Sequence, residues 1–167
     1  MSADGLGLNA VGALSFPFAD ETPSRAAALL AEAGAAYGDE ARAETLLRAA
    51  QREEPQCLPA YFSLYKFYFY RHRLREAEQA VHDGLAVAAT QGGFAADWRQ
   101  LHVQDADWTV ATGPVRFYLF SLKALAFICL RAQRAADAAA ILTKLAELDP
   151  TDQVGGSVVR SLLPRSR

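Results

Sequence analysis

Residues 60–88 read AYFSLYKFYFYRHRLREAEQAVHDGLAVA, and their pattern is the strongest evidence for the class of fold. Its first half is rich in aromatic residues, which are common in strands as well as in helices. The apolar side chains, however, fall at positions 61, 64, 65, 68 and 69, a spacing that fits one face of a helix better than the alternation of a strand. Two helices, at 58–72 and 74–89, are therefore predicted.

The same helical pattern runs through most of the chain. Apolar residues at helical spacing, interrupted by glycine or proline, predict further helices at 22–37, 40–53, 114–131 and 135–148. With 167 residues, of which 51% are hydrophobic and 22% charged, the chain is long and apolar enough to form one globular core. We therefore expect an all-α fold.

The helices form an internal repeat. A shift of 34 residues places Ala27, Leu30, Ala43, Leu47 and Ala50 on Tyr61, Leu64, Ala77, Val81 and Gly84. A further shift of 61 residues reaches Leu122, Leu125, Ala138, Leu142 and Leu145. The repeat units are 24–57, 58–91 and 119–152, with an insertion at 92–118. Because one helix pair cannot bury its own apolar face, the pairs are expected to stack into one core.

The repeats and their surroundings define the predicted domain organisation. A flexible N-terminal segment, 1–22, precedes a single helical domain, 23–163, and a tail follows at 164–167. A capping helix is expected at about 152–163, because a stack of helix pairs needs a polar outer cap. Its predicted inner stripe is Val154, Val158, Leu162 and Leu163. Glycines 155 and 156 would allow close approach to the preceding helix.

The sequence resembles the tetratricopeptide-repeat (TPR) family. The resemblance rests on Tyr61, Leu64, Tyr68 and Ala77, and on the sequence Leu-Asp-Pro that closes the third unit at 148–150. It implies a TPR-like array of three antiparallel helix pairs, with the insertion and the capping helix added. It also implies that the first helix of each pair lines a concave face that binds another protein.

The resemblance selects a set of partner-binding residues on that face. Aromatic and basic side chains alternate there, and they would offer apolar area together with partners for acidic groups. The set is Phe62, Lys66, Phe69 and Tyr70 in the second unit, and Phe120, Lys123, Phe127 and Arg131 in the third. Trp108 of the insertion is a further candidate for partner binding, separate from that face. The alternative is that the rings belong to the core and the lysine stems lie along it. The insertion is then either a plug of the core or an exposed recognition loop.

Other classes of function have little support in the sequence. A net charge of −2 disfavours nucleic acid as a partner, and no segment is expected to span a membrane. The usual catalytic, phosphate-binding and zinc motifs are absent from the sequence, so neither catalysis nor a cofactor is expected. Cys57 and Cys129 are predicted to be buried free thiols of a cytoplasmic protein. An alternative of another class is a small metal-binding protein or enzyme that uses His72, His82 and His102.

The chain as a whole also resembles small TPR-like accessory proteins associated with bacterial nitrogen fixation. This resemblance rests on residues 60–88 and on LDPTDQVGGSVVRSLL at 148–163. It implies a nitrogenase component as the partner and a protective or assembly role without catalysis. Two alternatives remain at this point: a chaperone of the type III secretion kind, which is TPR-like and of similar length, and a self-associating structural protein.

Overall fold

The computed structural model describes residues 23–165, which fold into helices without any strand. The predicted N-terminal segment 1–22 and the last two residues of the tail lie outside the described residues. The helices are α1 (Ser24–Ala35), α2 (Glu40–Glu53), α3 (Leu58–Tyr70), α4 (Leu74–Gly92), α5 (Gly113–Arg131), α6 (Ala135–Leu148) and α7 (Gly156–Arg160). The all-α prediction is confirmed, and the tyrosine-rich stretch is helical.

Local chemistry sets the helix ends. The Asp39 carboxylate caps α2 by accepting a hydrogen bond from the Arg42 amide at 3.2 Å, and Pro55 follows the end of that helix. Pro114 lies in the first turn of α5, where the missing amide proton costs nothing. Short turns join α1 to α2, α3 to α4 and α5 to α6, so each pair is antiparallel.

The three pairs pack in chain order. α1 contacts α3 and α3 contacts α5, while α2 contacts α3 and α4 contacts α5. These contacts are compatible with a TPR-like stack. Every residue that the repeat alignment equates across the three units is buried, apart from the half-buried Ala27. The apolar repeat in the sequence therefore marks the positions at which the pairs pack against one another.

The turns inside the second and third pairs repeat as well. His72 and Gln133 hold equivalent positions, and both adopt left-handed backbone conformations, with φ of 58° and 63°. In each turn the next residue's amide donates back to a carbonyl of the first helix, from Arg73 to Tyr68 at 3.0 Å and from Arg134 to Cys129 at 2.8 Å. This bond ends the first helix and aims the chain into the second.

Helix α5 is the centre of the fold. It contacts α3, α4, α6 and α7, and the run 117–129 is buried. By length and composition, with a mean hydropathy of 1.4, α5 could cross a membrane, although no segment was predicted to span one. Since 72% of that stretch is buried by the rest of the fold, its apolar character is used in the core.

The insertion and the cap differ from their predicted forms. α4 continues to Gly92 and α5 begins at Gly113, six residues before the predicted third unit. The segment between them forms 3-10 turns at Trp98–Gln100 and Val103–Asp105. The capping helix α7 is shorter than the predicted 152–163 because a hydrogen-bonded turn precedes it. In that turn the Asp149 carboxylate accepts from the amides of Gln153 and Val154.

That turn also rotates the apolar stripe of the cap. Val154 and Val159 are buried, whereas Val158 is 50% exposed and Leu162 39% exposed. The prediction that Val158 and Leu162 face inward is therefore wrong. The predicted close approach is confirmed at Gly156, where a Cβ would lie 2.8 Å from a methyl carbon of Leu145, but not at Gly155, where a Cβ would have no neighbour within 4 Å.

Candidate protein-binding face

The predicted partner-binding residues of the second and third units lie on two neighbouring helices. Residues 62, 66, 69 and 70 follow one side of α3, and residues 120, 123, 127 and 131 follow one side of α5 at the three- and four-residue spacing of a helical face. We call these eight residues the α3/α5 face. Rings from the two helices meet, because Phe62 lies 5.9 Å from Phe120 and Phe69 lies 5.3 Å from Phe127 between ring centroids.

The four phenylalanines of the α3/α5 face are buried. Phe62, Phe69, Phe120 and Phe127 are each no more than 8% exposed, so they form the contact between α3 and α5. Aromatic pairs at these distances stabilise such a contact beyond the burial of area. The sequence allowed these rings to line a groove or to belong to the core, and the structure places them in the core.

Lys123 is the most unusual residue of the face. Its side chain is only 5% exposed, and its ammonium lies 4.3 Å from the centre of the Phe120 ring. Burial, and next the positive charge of Arg116, lower the pKa of Lys123 to about 8, while Asp152 opposes the shift. The sequence left open whether this lysine lines a groove or lies along the core, and the structure places most of its side chain against the core.

The partly exposed residues of the face form a polar rim. Lys66, Tyr70 and Arg131 are each half-buried, and Tyr70 packs its ring edge-on against Phe69 at 5.8 Å. Partial burial lowers the pKa of Lys66. The face therefore has a buried aromatic floor, with cationic and phenolic groups around it.

Arg116 was not among the predicted site residues. It lies one turn before Phe120 on the same side of α5, so its helical spacing was a usable signal. Its Nη2 donates to the Gln153 carbonyl at 3.2 Å. Its Nε is buried and has no hydrogen-bond acceptor within the described chain. Together with Lys123 it places two positive charges at the end of the face nearest α7.

Trp108 lies elsewhere. It is 4% exposed and packs against Phe94 at 5.1 Å and Tyr118 at 6.3 Å. Tyr118 points away from Phe120, since two positions along a helix are separated by about 200°. The indole Nε1 donates to the His102 carbonyl at 3.3 Å. The structure thus places Trp108 in the core on the other side of α5, and the insertion plugs that side.

A separate cleft of about 270 Å³ opens between α4, α5, α6 and the first 3-10 turn. Its charged groups are engaged with one another, as Glu78 accepts from Arg134 at 2.5 Å and lies 3.8 Å from the His82 imidazole. Cys129 lines the cleft, and burial raises the pKa of its thiol to about 11. Cys57 and Cys129 are both free and buried, as predicted.

The three histidines do not form a site. His72 lies in the turn between α3 and α4, His82 on α4, and His102 before the second 3-10 turn. Between residues 23 and 165, no group of three or more histidine, cysteine, aspartate or glutamate side chains is arranged to hold a metal ion. The alternative of a metal site shared by His72, His82 and His102 therefore has no structural basis.

Comparison with known proteins gives a relative. Over 127 residues the chain is 32% identical to an uncharacterized 19.8 kDa protein in the nifW 5′ region of Azotobacter chroococcum mcd 1. The alignment covers 74% of this chain and 71% of that protein. No family model and no solved structure matches the chain. At this identity and coverage, the chain belongs to the same family as that Azotobacter protein.

Proposed function

We propose that this protein is a non-enzymatic accessory protein of nitrogen fixation that binds another protein, with a nitrogenase component as its partner. The observation that carries the proposal is the relative, whose name places it in the nifW 5′ region. The helix pairs support a binding role, since a TPR-like array is a scaffold that leaves a row of first helices to contact a partner.

The α3/α5 face is the proposed contact surface. Its half-buried rim residues, Lys66, Tyr70 and Arg131, surround rings that already pack together. Interfaces commonly combine a rigid aromatic centre with a polar, partly hydrated edge. A partner segment with acidic side chains would match the positive charges of Lys66 and Arg131.

The chemistry of the remaining residues favours binding over catalysis. The cleft beside α4 holds a thiol and an imidazole, but its carboxylate Glu78 is already bound by Arg134. A catalytic cysteine acts as a thiolate. Cys129, with a pKa raised to about 11 by burial, stays protonated at neutral pH. The protein is accordingly proposed to act without chemistry of its own and in the cytoplasm, where nitrogenase components would be available.

The test is capture of partners from the native cell under nitrogen-fixing conditions, followed by mass spectrometry. The informative variant is Lys66→Glu/Arg131→Glu, which reverses the rim charge. Lys123 is left unchanged because an introduced carboxylate would be buried and could unfold the chain. The matched control is Arg52→Glu/Arg75→Glu, which makes the same charge change at exposed positions of α2 and α4.

The proposal expects a nitrogenase component to be captured by the wild type and by the control variant, and to be lost with the rim variant. Circular dichroism should show that both variants remain helical. Equal capture by two folded variants would remove the α3/α5 face as the contact surface. A partner set without any nitrogenase component would contradict the assignment of the partner.

A further inference from the structure

The side chains of Arg116 and Lys123 on α5 carry their charges close to the turn that precedes α7. Arg116 and Lys123 lie seven residues apart on the same side of the helix, with Phe120 between them. Arg116 reaches that turn through its bond to the Gln153 carbonyl. After burial, the positive charge of Arg116 is the next cause of the lowered pKa of Lys123. They therefore belong to one small site.

Both cations have donors that the described chain does not use. The Arg116 Nε is buried without an acceptor. No residue from 23 to 165 accepts a hydrogen bond from the Lys123 ammonium, whose neighbour is the Phe120 ring at 4.3 Å. A ring face attracts the positive charge but leaves the ammonium protons without acceptors. A buried donor such as the Arg116 Nε is costly unless it is paired.

The nearby carboxylate does not supply the missing acceptor. Asp152 accepts from the amide of Ser157 at 3.0 Å and also from its hydroxyl, so its oxygens serve the turn before α7. These bonds from Ser157 lower the pKa of Asp152 and keep it ionised. Two positive charges against one negative charge leave the site with one positive charge in excess.

We propose that Arg116 and Lys123 form a binding site for one carboxylate, presented by an aspartate or glutamate side chain of the partner protein. The inference rests on the proposed function and adds to it the chemistry that the partner must present. A carboxylate offers two oxygens, one for the arginine Nε and one for the lysine ammonium. Its single negative charge equals the excess of the site, whereas a phosphate group would carry more.

The experiment uses the full chain and acetate as the probe. The sequence has three lysines, Lys66, Lys123 and Lys144, so protein labelled with ¹³C in the lysine ε-carbons gives three separate NMR signals. Acetate is titrated against chloride at equal ionic strength and pH 8. The Lys123 signal should move with saturation, and its pKa should rise toward the ordinary lysine value as acetate binds. Lys66 and Lys144 serve as internal controls.

Arg116→Gln removes one cation while it keeps a polar side chain at that position. It should weaken acetate binding at Lys123 about tenfold. An equal response of the variant and the wild type would overturn the site, as would a Lys123 signal that moves no more than Lys144. Binding of inorganic phosphate without binding of acetate would also overturn the carboxylate assignment.

Failure of this site and failure of the proposed function can be told apart. The titration needs no partner, so it can fail while the rim variant still loses nitrogenase capture. Conversely, acetate can bind where no partner is captured, which would reject the function and leave an anion site. If acetate binds and a nitrogenase component is captured, the folded Arg116→Gln variant should capture less of that component than the wild type.

Discussion

Arg134 binds Glu78 in the same way that Arg73 binds Glu44. The shortest nitrogen to oxygen distances are 2.5 Å and 2.8 Å. In both cases the arginine stands just before the second helix of one helix pair, and the glutamate lies on the second helix of the pair before it. The repeat therefore extends from the apolar core to the charges that link α2 to α4 and α4 to α6. Each arginine also pairs with the acidic residue three positions later, Glu76 or Asp137.

The bond between Arg73 and Glu44 makes stability depend on pH. The hydrogen bond from Arg73 is the main reason that the pKa of Glu44 is lowered in the folded chain. The ionised carboxylate therefore stabilises the fold above the unfolded pKa of about 4.3. This stabilisation is lost as pH falls through the lower folded pKa. Urea unfolding from pH 6 to pH 3 should show a steeper loss for the wild type than for Glu44→Gln.

A matched substitution checks that assignment. Glu32 is exposed on α1, so Glu32→Gln should keep the pH dependence of the wild type. If Glu44→Gln and the wild type lose stability in parallel, the link between α2 and α4 contributes nothing measurable.

Gly84 is required by the packing of α4 against two other helices. A Cβ at this position would lie 2.9 Å from the Phe117 ring and 3.0 Å from the Cβ of Tyr61. Alanine is the better helix former by about 1 kcal/mol, but overpacking commonly costs about 1–3 kcal/mol. Gly84→Ala should therefore lower the free energy of unfolding, as measured by chemical denaturation.

Gly34 is the control for that effect. It lies in α1 with nothing near enough to contact an added Cβ. Gly34→Ala should raise the free energy of unfolding by up to about 1 kcal/mol through helix propensity alone. A stabilising Gly84→Ala would show that α4 and α5 are packed less closely than the structure indicates.

Two adjacent valines test the orientation of the capping helix. Val159 is fully buried, while Val158 is 50% exposed. Val159→Ala removes two buried methyl groups and should cost about 1–2 kcal/mol of unfolding free energy. Val158→Ala should change it by less than about 0.5 kcal/mol. A larger loss of thermal stability in Val158→Ala than in Val159→Ala would contradict this orientation and support the prediction that Val158 faces inward.

The two thiols should be unreactive until the chain unfolds. Cys57 is 5% exposed and Cys129 is 2% exposed, and burial raises the pKa of both. With a pKa of about 11, the thiolate fraction of Cys129 at pH 8 is roughly a hundredth of that of a free thiol. A disulfide reagent at pH 8 should label Cys129 at least about a hundredfold faster after urea unfolding. Single Cys→Ser variants assign the two signals, and rapid native labelling of Cys129 would mean that its cleft opens.

Much of the fold follows from local chemistry and periodicity. The bounds of α2 and α6 agree with those predicted, because a capping aspartate or a following proline marks their ends. The equivalence of Leu30, Leu64 and Leu125 likewise predicts that they are buried together, and they are. Such signals are carried by residues close in sequence, so no partner helix is needed to interpret them.

The exposure of the candidate site was decided by tertiary structure. Phe120, Lys123 and Phe127 form one stripe in the sequence, and that stripe suits a groove as well as a core. The contacts of α5 with α3, α4, α6 and α7 are what bury it. Spacing could have placed Arg116 on that stripe, but the burial of its Nε without an acceptor in the described chain is visible only in the tertiary structure.

The order of residues is enough to predict a row of paired helices and the side chains that repeat along it. The packing of those helices sets which faces are exposed to water, how α7 is oriented, and that Arg116 and Lys123 act on each other. The physical reason is that helical periodicity fixes the direction of each side chain relative to its own helix axis. Burial and charge depend on the neighbouring helices, which lie tens of residues away in the sequence.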